Sequence, residues 1–184
     1  MEAHLHICDA VQPTQQSTVD NIHWYAIQTR CKHEKKVAQQ LIYDGVGVFL
    51  PLARVVHRWS DRAKTLDMPL FPTYLFVRTA LSPGVRLKIL QAGGVLGFVG
   101  KNGWGTPIPD KDIEDVKTLV SAKVPCYVYP FLSKGRRVRV TSGCLQGIEG
   151  VLVESASERT LVLSVDVIHR SMVIRITDYE VELI

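Results

Sequence analysis

From Gly135 to the C-terminus every stretch of the chain is patterned as a strand: "RVRVTS", "EGVLVES", "TLVLSVDVI", "RSMVIRI" and "YEVELI". Val138 and Val140 alternate with Arg137 and Arg139, the period-2 signature of a half-buried strand. Five such segments within about fifty residues leave room only for tight turns, and a small closed barrel is the architecture that removes their exposed edges. Gly143, Gly147 and Gly150 interrupt the first two strands. A glycine in an ordered element costs about 0.5–1 kcal/mol relative to alanine, so this cluster marks a turn needing positive φ, or a close approach of backbone to backbone or ligand. The β-branched density of "LVLSVDVI" and "MVIRI" predicts a barrel that keeps its strands, loosely tethered to what precedes it.

Upstream the pattern mixes periods, which makes the fold class α+β. "HWYAIQTR" predicts a strand over His23–Gln28. In "KHEKKVAQQLIYDG", Val37 with Leu41 and Ala38 with Ile42 form a helical stripe that Gly45 stops. "VGVFLP" predicts a strand. A basic hairpin follows, with Arg54, Arg58, Arg62 and Lys64 around its turn and "TYLFVR" as its returning strand. "SPGVRLKILQAGGV" predicts a short helix, "VLGFVG" a strand, and "TPIPDKDIEDVKTLVSA" a helix opened by Pro109 and Asp110 and buried through Ile113, Val116 and Val120. The expected domains are a mobile polar tail over 1–20, a mixed domain over 21–121, a proline-bearing linker over 122–133 and the barrel over 134–184.

Charge sharpens this division. The net charge of +4 conceals an excess of six positive charges in residues 21–120, against an evenly balanced barrel segment. A basic excess confined to one domain points to a polyanionic partner there. Cys8, Cys31, Cys126 and Cys144 are scattered without a C-x-x-C pair, which argues against a zinc module or disulfide framework and fits a reducing cytoplasm. The tail lacks the basic start and apolar core of a signal peptide, and no apolar run approaches a membrane span. His4 and His6 offer two metal-ligand types, but in a polar tail they predict no metal site. "AGGVLGFVG" has neither the Lys-Ser/Thr of a P-loop nor dinucleotide spacing, and Asp110, Asp112, Glu114 and Asp115 sit where a helix dipole favours acids without chemistry. No nucleophile, base and orienter come together, so neither catalysis nor a cofactor is expected.

From Trp24 onward the chain resembles the NusG family of transcription elongation factors. The likeness is carried by "WYAIQTR…HEKKV" at 24–37, "FLP" at 49–51, "PLFPTYLFV" at 69–77, "GGVLGFVG" at 93–100, "PIP" at 107–109, the glycine-rich turn and the terminal "YEVELI". It implies an NGN domain, an α/β sandwich, followed by a KOW domain, a five-stranded SH3-like β-barrel. "QTRCKHEKKVAQQL", "RWSDR" and "PLFPTYLFV" look most like the specialised RfaH-like and UpxY-type antiterminators of polysaccharide gene clusters.

The resemblance implies two surfaces on the first domain. Trp24, Phe71, Tyr74 and Phe76 would meet the clamp of RNA polymerase, Tyr74 and Phe76 sharing one strand face and Leu75 and Val77 the other. Arg30, Lys32, His33, Lys35 and Lys36 would touch the non-template DNA strand, with Lys32 and Lys36 at helical i, i+4 spacing and Glu34 the one opposing charge. On the barrel, Leu145, Ile148, Val167 and Ile168 would form a partner edge for ribosomal protein S10 or Rho. Leu145 and Ile148 replace the aromatics usual in that turn, a departure that weakens the Rho contact. Thr73 stands where many relatives have glycine. The rival reading is an RNA-binding ribosomal or ribosome-assembly protein using Arg136, Arg137 and Arg139; the balanced charge of the barrel and the long N-terminal match count against it.

Overall fold

The computed structural model describes residues 22–58, 63–122, 126–130, 135–154, 159–176 and 179–184. The expected tail with His4 and His6, the hairpin turn with Arg62, and parts of the linker lie outside them.

β1 (Ile22–Thr29) is the axis of the first domain. After it come α1 (Glu34–Tyr43), β2 (Gly47–Phe49), β3 (Leu52–Arg58), β4 (Ala63–Pro69), β5 (Tyr74–Ala80), α2 (Pro83–Gln91), β6 (Val95–Phe98), β7 (Pro107–Ile108) and α3 (Asp110–Ala122). β1 pairs antiparallel with β5, β6 and β7, and β2 completes the sheet on β5, giving the order β2-β5-β1-β6. The Ala26–Phe76 and Ile27–Leu75 pairs set the register. Alternation then sorts the side chains. Tyr25, Ile27, Leu75 and Val77 face α1 and α2, packing on Val37, Leu41 and Ile89. Trp24, Ala26 and Phe76 belong to the opposite cluster with Ile113, Val116 and Leu119 of α3. The helix ends follow the sequence: Gly45 takes φ +79 after α1, and the Ser82 hydroxyl accepts the Val85 N–H at 3.3 Å to cap α2. The α1 stripe is narrower than expected. Val37, Ala38 and Leu41 are buried, but Ile42 is 43% exposed.

The hairpin differs from its expected form. Its returning strand is β4, which pairs with β3 from Leu52–Pro69 out to Arg58–Ala63. "TYLFVR" enters the main sheet instead. Between them the chain reverses at Pro72–Thr73, with Thr73 at φ 69, and the Leu70 N–H bonds the Pro51 carbonyl at 2.8 Å.

The second domain contains β8 (Cys126–Pro130), β9 (Arg136–Val140), β10 (Glu149–Glu154), β11 (Arg159–Val165), β12 (Arg170–Arg175) and β13 (Val181–Leu183). These form an antiparallel ladder in the order β13-β9-β10-β11-β12-β8. Six strands take part rather than five, because the proline-flanked stretch before the barrel supplies β8 to the edge of β12. Among the described residues the ladder is not closed. The three glycines divide between the two expected roles. Gly143 and Gly147 take φ +77 and +87, whereas a Cβ on Gly150 would stand 2.6 Å from the Val162 carbonyl oxygen.

The barrel does not hang free of the first domain. The turn at Gly143–Leu145 packs on α3, and one apolar cluster runs from Trp24 and Phe76 through α3 to Leu145, Ile148 and the buried face of the β-ladder. No helix among the described residues is long and apolar enough to cross a membrane.

Candidate functional site

Three groups of side chains carry the functional expectations. The first is aromatic. Phe76 lies between Phe71, edge-on at 6.0 Å, and Phe49, stacked at 6.1 Å, and Phe49 meets Trp24 edge-on at 6.3 Å. Trp24, Phe71 and Phe76 are buried and Tyr74 on the same strand face is half-buried. Two cations cover the cluster. Lys117 Nζ from α3 sits 5.2 Å from the Trp24 ring and 5.8 Å from that of Phe49, and the Arg78 guanidinium lies 5.9 Å from Trp24. Each such contact is worth about 0.5–2 kcal/mol, depending on desolvation. Phe49 and Lys117 were not singled out in the sequence. Phe49 stood only inside the "FLP" match, and Lys117 also pairs with Glu114 at 2.8 Å.

The second group is basic. Arg30, Lys32, Lys35 and Lys36 are exposed and His33 is half-buried at the entrance to α1. His33 Nδ1 lies 3.0 Å from the Cys31 carbonyl, and the Arg30 N–H bonds the Gly94 carbonyl at 2.8 Å. Glu34 does not oppose these charges at the surface. It is buried, and its carboxylate accepts the Thr73 N–H at 2.8 Å. Lys32 and Lys36 do not share a helical face, because α1 begins at Glu34 and Lys32 adopts a left-handed φ of 63 in the preceding turn.

The third group lies between the domains. Leu145, Ile148 and Ile168 are buried and Val167 is half-buried, all in the cluster that α3 shares. Around them Lys111 Nζ donates to the Gly147 carbonyl at 2.8 Å and to Asp115 Oδ1 at 2.5 Å. The Glu149 N–H reaches Asp115 Oδ2 at 3.4 Å. Burial, then the charges of Asp166 and Asp115, push the Asp112 carboxyl up to about 6 against the pull of Lys111 and Arg137. Burial also raises Asp115, opposed by its bond to Lys111. The first-turn acids that looked like dipole partners therefore line a domain contact. Within the β-ladder, Arg139 grips its cross-strand partner Glu149 through Nε and Nη2 at 3.0 and 2.8 Å and stands 3.6 Å from Glu182 on the other neighbouring strand. Among the described residues no cluster of His, Cys, Asp and Glu has the form of a metal site.

These features define a mixed α/β chain: a helix-flanked sheet with an aromatic face, a basic helix entrance and a β-rich ladder packed against its last helix. Residues 22–117 match the family model described as "Transcription termination factor nusG". Over 171 residues the chain is 25% identical to the transcription termination/antitermination protein NusG of Lactococcus lactis, covering 86% of this chain and 91% of that protein. It is 26% identical over 170 residues to the NusG of Helicobacter pylori, covering 86% and 97%. A solved structure on domain interaction in Thermotoga maritima NusG shares the fold at a TM-score of 0.54 and 21% identity, covering 86% and 96%. The chain belongs to the NusG family.

Proposed function

We propose that this protein is a bacterial transcription antiterminator of the specialised RfaH-like and UpxY-type branch. It binds the RNA polymerase clamp and suppresses pausing and termination at particular operons, polysaccharide gene clusters among them. The observation that carries this reading is the half-buried pair Tyr74 and Phe49 at the margin of an aromatic group whose other members, Trp24, Phe71 and Phe76, are core rather than the contact surface expected of them. Aromatic side chains anchor interfaces at low entropy cost, and Tyr74 and Phe49 are the members that present surface. The exposed cations at the start of α1 supply phosphate attraction for the non-template strand, and Glu34 turns inward to the Thr73 N–H rather than pairing with them. The activity is binding rather than turnover: contact that favours the active polymerase conformation depletes the paused one.

The barrel's partner edge fits the same reading in an occluded form. Leu145 and Ile148 pack against α3, so S10 or Rho would gain them only when the domains part. The ribosomal alternative is disfavoured by Arg139, which is engaged by two carboxylates of its own sheet.

The test is pause lifetime on a reconstituted bacterial elongation complex with wild type and Tyr74→Ala. Shortened pauses that the variant loses support the reading and assign the docking face. Wild-type protein that leaves pauses unchanged on its native polymerase and operon leader overturns it.

A further inference from the structure

Between Asp67 and Asp110 the chain carries Arg78, Arg86, Lys88 and Lys101 and no carboxylate. Arg78 turns to Trp24 on the aromatic face. Lys88 belongs to the helical face, where its Nζ donates to the Asp44 carbonyl at 2.7 Å and joins α2 to the end of α1. The Arg86 guanidinium lies on the ring of Trp104, a residue 62% exposed, and Lys101 opens the same turn, its carbonyl accepting the Trp104 N–H at 3.2 Å.

That ring is held in place. The Arg86 guanidinium lies 4.8 Å from its centroid, donates through Nη2 to the neighbouring Gly103 carbonyl at 3.0 Å, and rests 5.9 Å from the ring of buried Phe98. The loop beneath is shaped by positive φ at Gly100, Asn102, Gly103 and Gly105, and a Cβ on Gly100 would collide with Thr106. A large planar side chain fixed in solvent with a cation behind it loses little entropy on stacking. The positive charge around it selects an anionic ligand, and the ring selects one with planar faces. Bases offer those faces only when unpaired.

We propose that Trp104, braced by Arg86, is a base-stacking platform for single-stranded nucleic acid, with Lys101 contacting the adjoining phosphate. This rests on the reading of the α1 entrance as a nucleic-acid surface and adds a stacking element to it.

The test is fluorescence anisotropy with a labelled oligothymidylate, an oligouridylate and a DNA duplex of about 15 nucleotides or pairs. Proteins are wild type, Trp104→Ala, Trp104→Phe and the double variant Lys32→Ala/Lys36→Ala, each checked by thermal melting. Trp104→Ala should weaken single-strand binding about ten-fold, Trp104→Phe only about two-fold, and the duplex should be little affected. The salt slope of Trp104→Ala should match wild type, whereas the lysine variant should lose about 0.7 of log–log slope per contact removed. Greater dependence on Trp104 with the deoxy strand identifies the bubble DNA as source, and with the ribo strand the transcript; either supports the platform. Trp104→Ala binding like wild type while the lysine variant weakens overturns the platform and leaves the basic surface standing. Equal loss on the duplex overturns stacking, and no single-strand binding by wild type overturns platform and surface together.

Discussion

Lys111 on α3 and Gly147 in the first barrel turn are joined by a 2.8 Å hydrogen bond from Nζ to the carbonyl oxygen. The same ammonium neutralises Asp115, which is itself buried and reaches the Glu149 N–H. One lysine thus satisfies an acceptor in each domain at the point where Leu145 and Ile148 meet the helix. Replacing it by alanine leaves a buried carboxylate without its cation, at a cost of about 1–3 kcal/mol. Lys111→Ala should release the barrel. In amide NMR spectra the two domains should relax as separate bodies, where wild type relaxes as one, while each keeps its own strand shifts. Unchanged relaxation would mean that the apolar contact alone holds the domains.

The carboxylates beside this bond make docking pH-dependent. Burial and the charges of Asp166 and Asp115 raise the Asp112 pKa to about 6, above the ordinary 3.8, so docking takes up a proton. Docking is then strongest below the ordinary value, weakens as pH rises toward about 6, and is flat above it. Asp115, raised chiefly by burial, shifts the balance in the same direction. Allowing for solvent screening of a half-buried group, the effect is on the order of 1–2 kcal/mol. The docked population measured by NMR should be larger at pH 5 than at pH 7.5, and Asp112→Asn should flatten the dependence and favour docking at neutral pH. A docked fraction that falls on acidification would contradict this assignment.

Thr73 supplies a prediction within the first domain. It holds φ 69, a conformation that a β-branched residue adopts only under strain, because its N–H is aimed at Glu34 and its carbonyl at the Thr29 N–H. Both bonds use the main chain, so Thr73→Gly keeps them and removes the strain. The gain, reduced by the greater freedom of glycine in the unfolded chain, is about 0.5–1 kcal/mol. Urea denaturation should show a higher midpoint with an unchanged m-value.

What could be read in the sequence follows from whether the cause was local. Tyr74 and Phe76 separate from Leu75 and Val77 because strand alternation is set residue by residue, and Gly45 ends α1 because its backbone conformation favours glycine. The returning hairpin strand was missed because the alternation in "TLDM" is short and closed by Pro69, and the strand is fixed by its pairing with β3. β8 was missed because its prolines weaken any strand signal and its partner lies over forty residues away. Asp112 and Asp115 looked like dipole partners because nothing in a helix's first turns reveals that another domain will cover them. Exposed Trp104 carries no motif in the sequence, since its meaning depends on Arg86 folding beneath it.

The three barrel glycines looked equivalent in the sequence, yet the structure gives two of them different physical reasons that mutation can separate. Gly147 has open space around its Cβ position and φ +87, so Gly147→Ala introduces only backbone strain of about 1–2 kcal/mol. Gly150 has ordinary φ, but an added methyl would stand 2.6 Å from the Val162 carbonyl oxygen and 3.0 Å from Leu161 Cδ1. That oxygen belongs to β11, which is locked between β10 and β12, so it cannot retreat without opening the ladder. Gly150→Ala should cost about 2–3 kcal/mol or more, the upper range for overpacking. The two variants should also differ in kind. Hydrogen exchange in Gly147→Ala should quicken around the turn and leave the β10–β11 amides protected, whereas Gly150→Ala should quicken exchange along that whole ladder. Equal effects on stability and protection would mean that the turn, rather than the backbone approach, governs both positions.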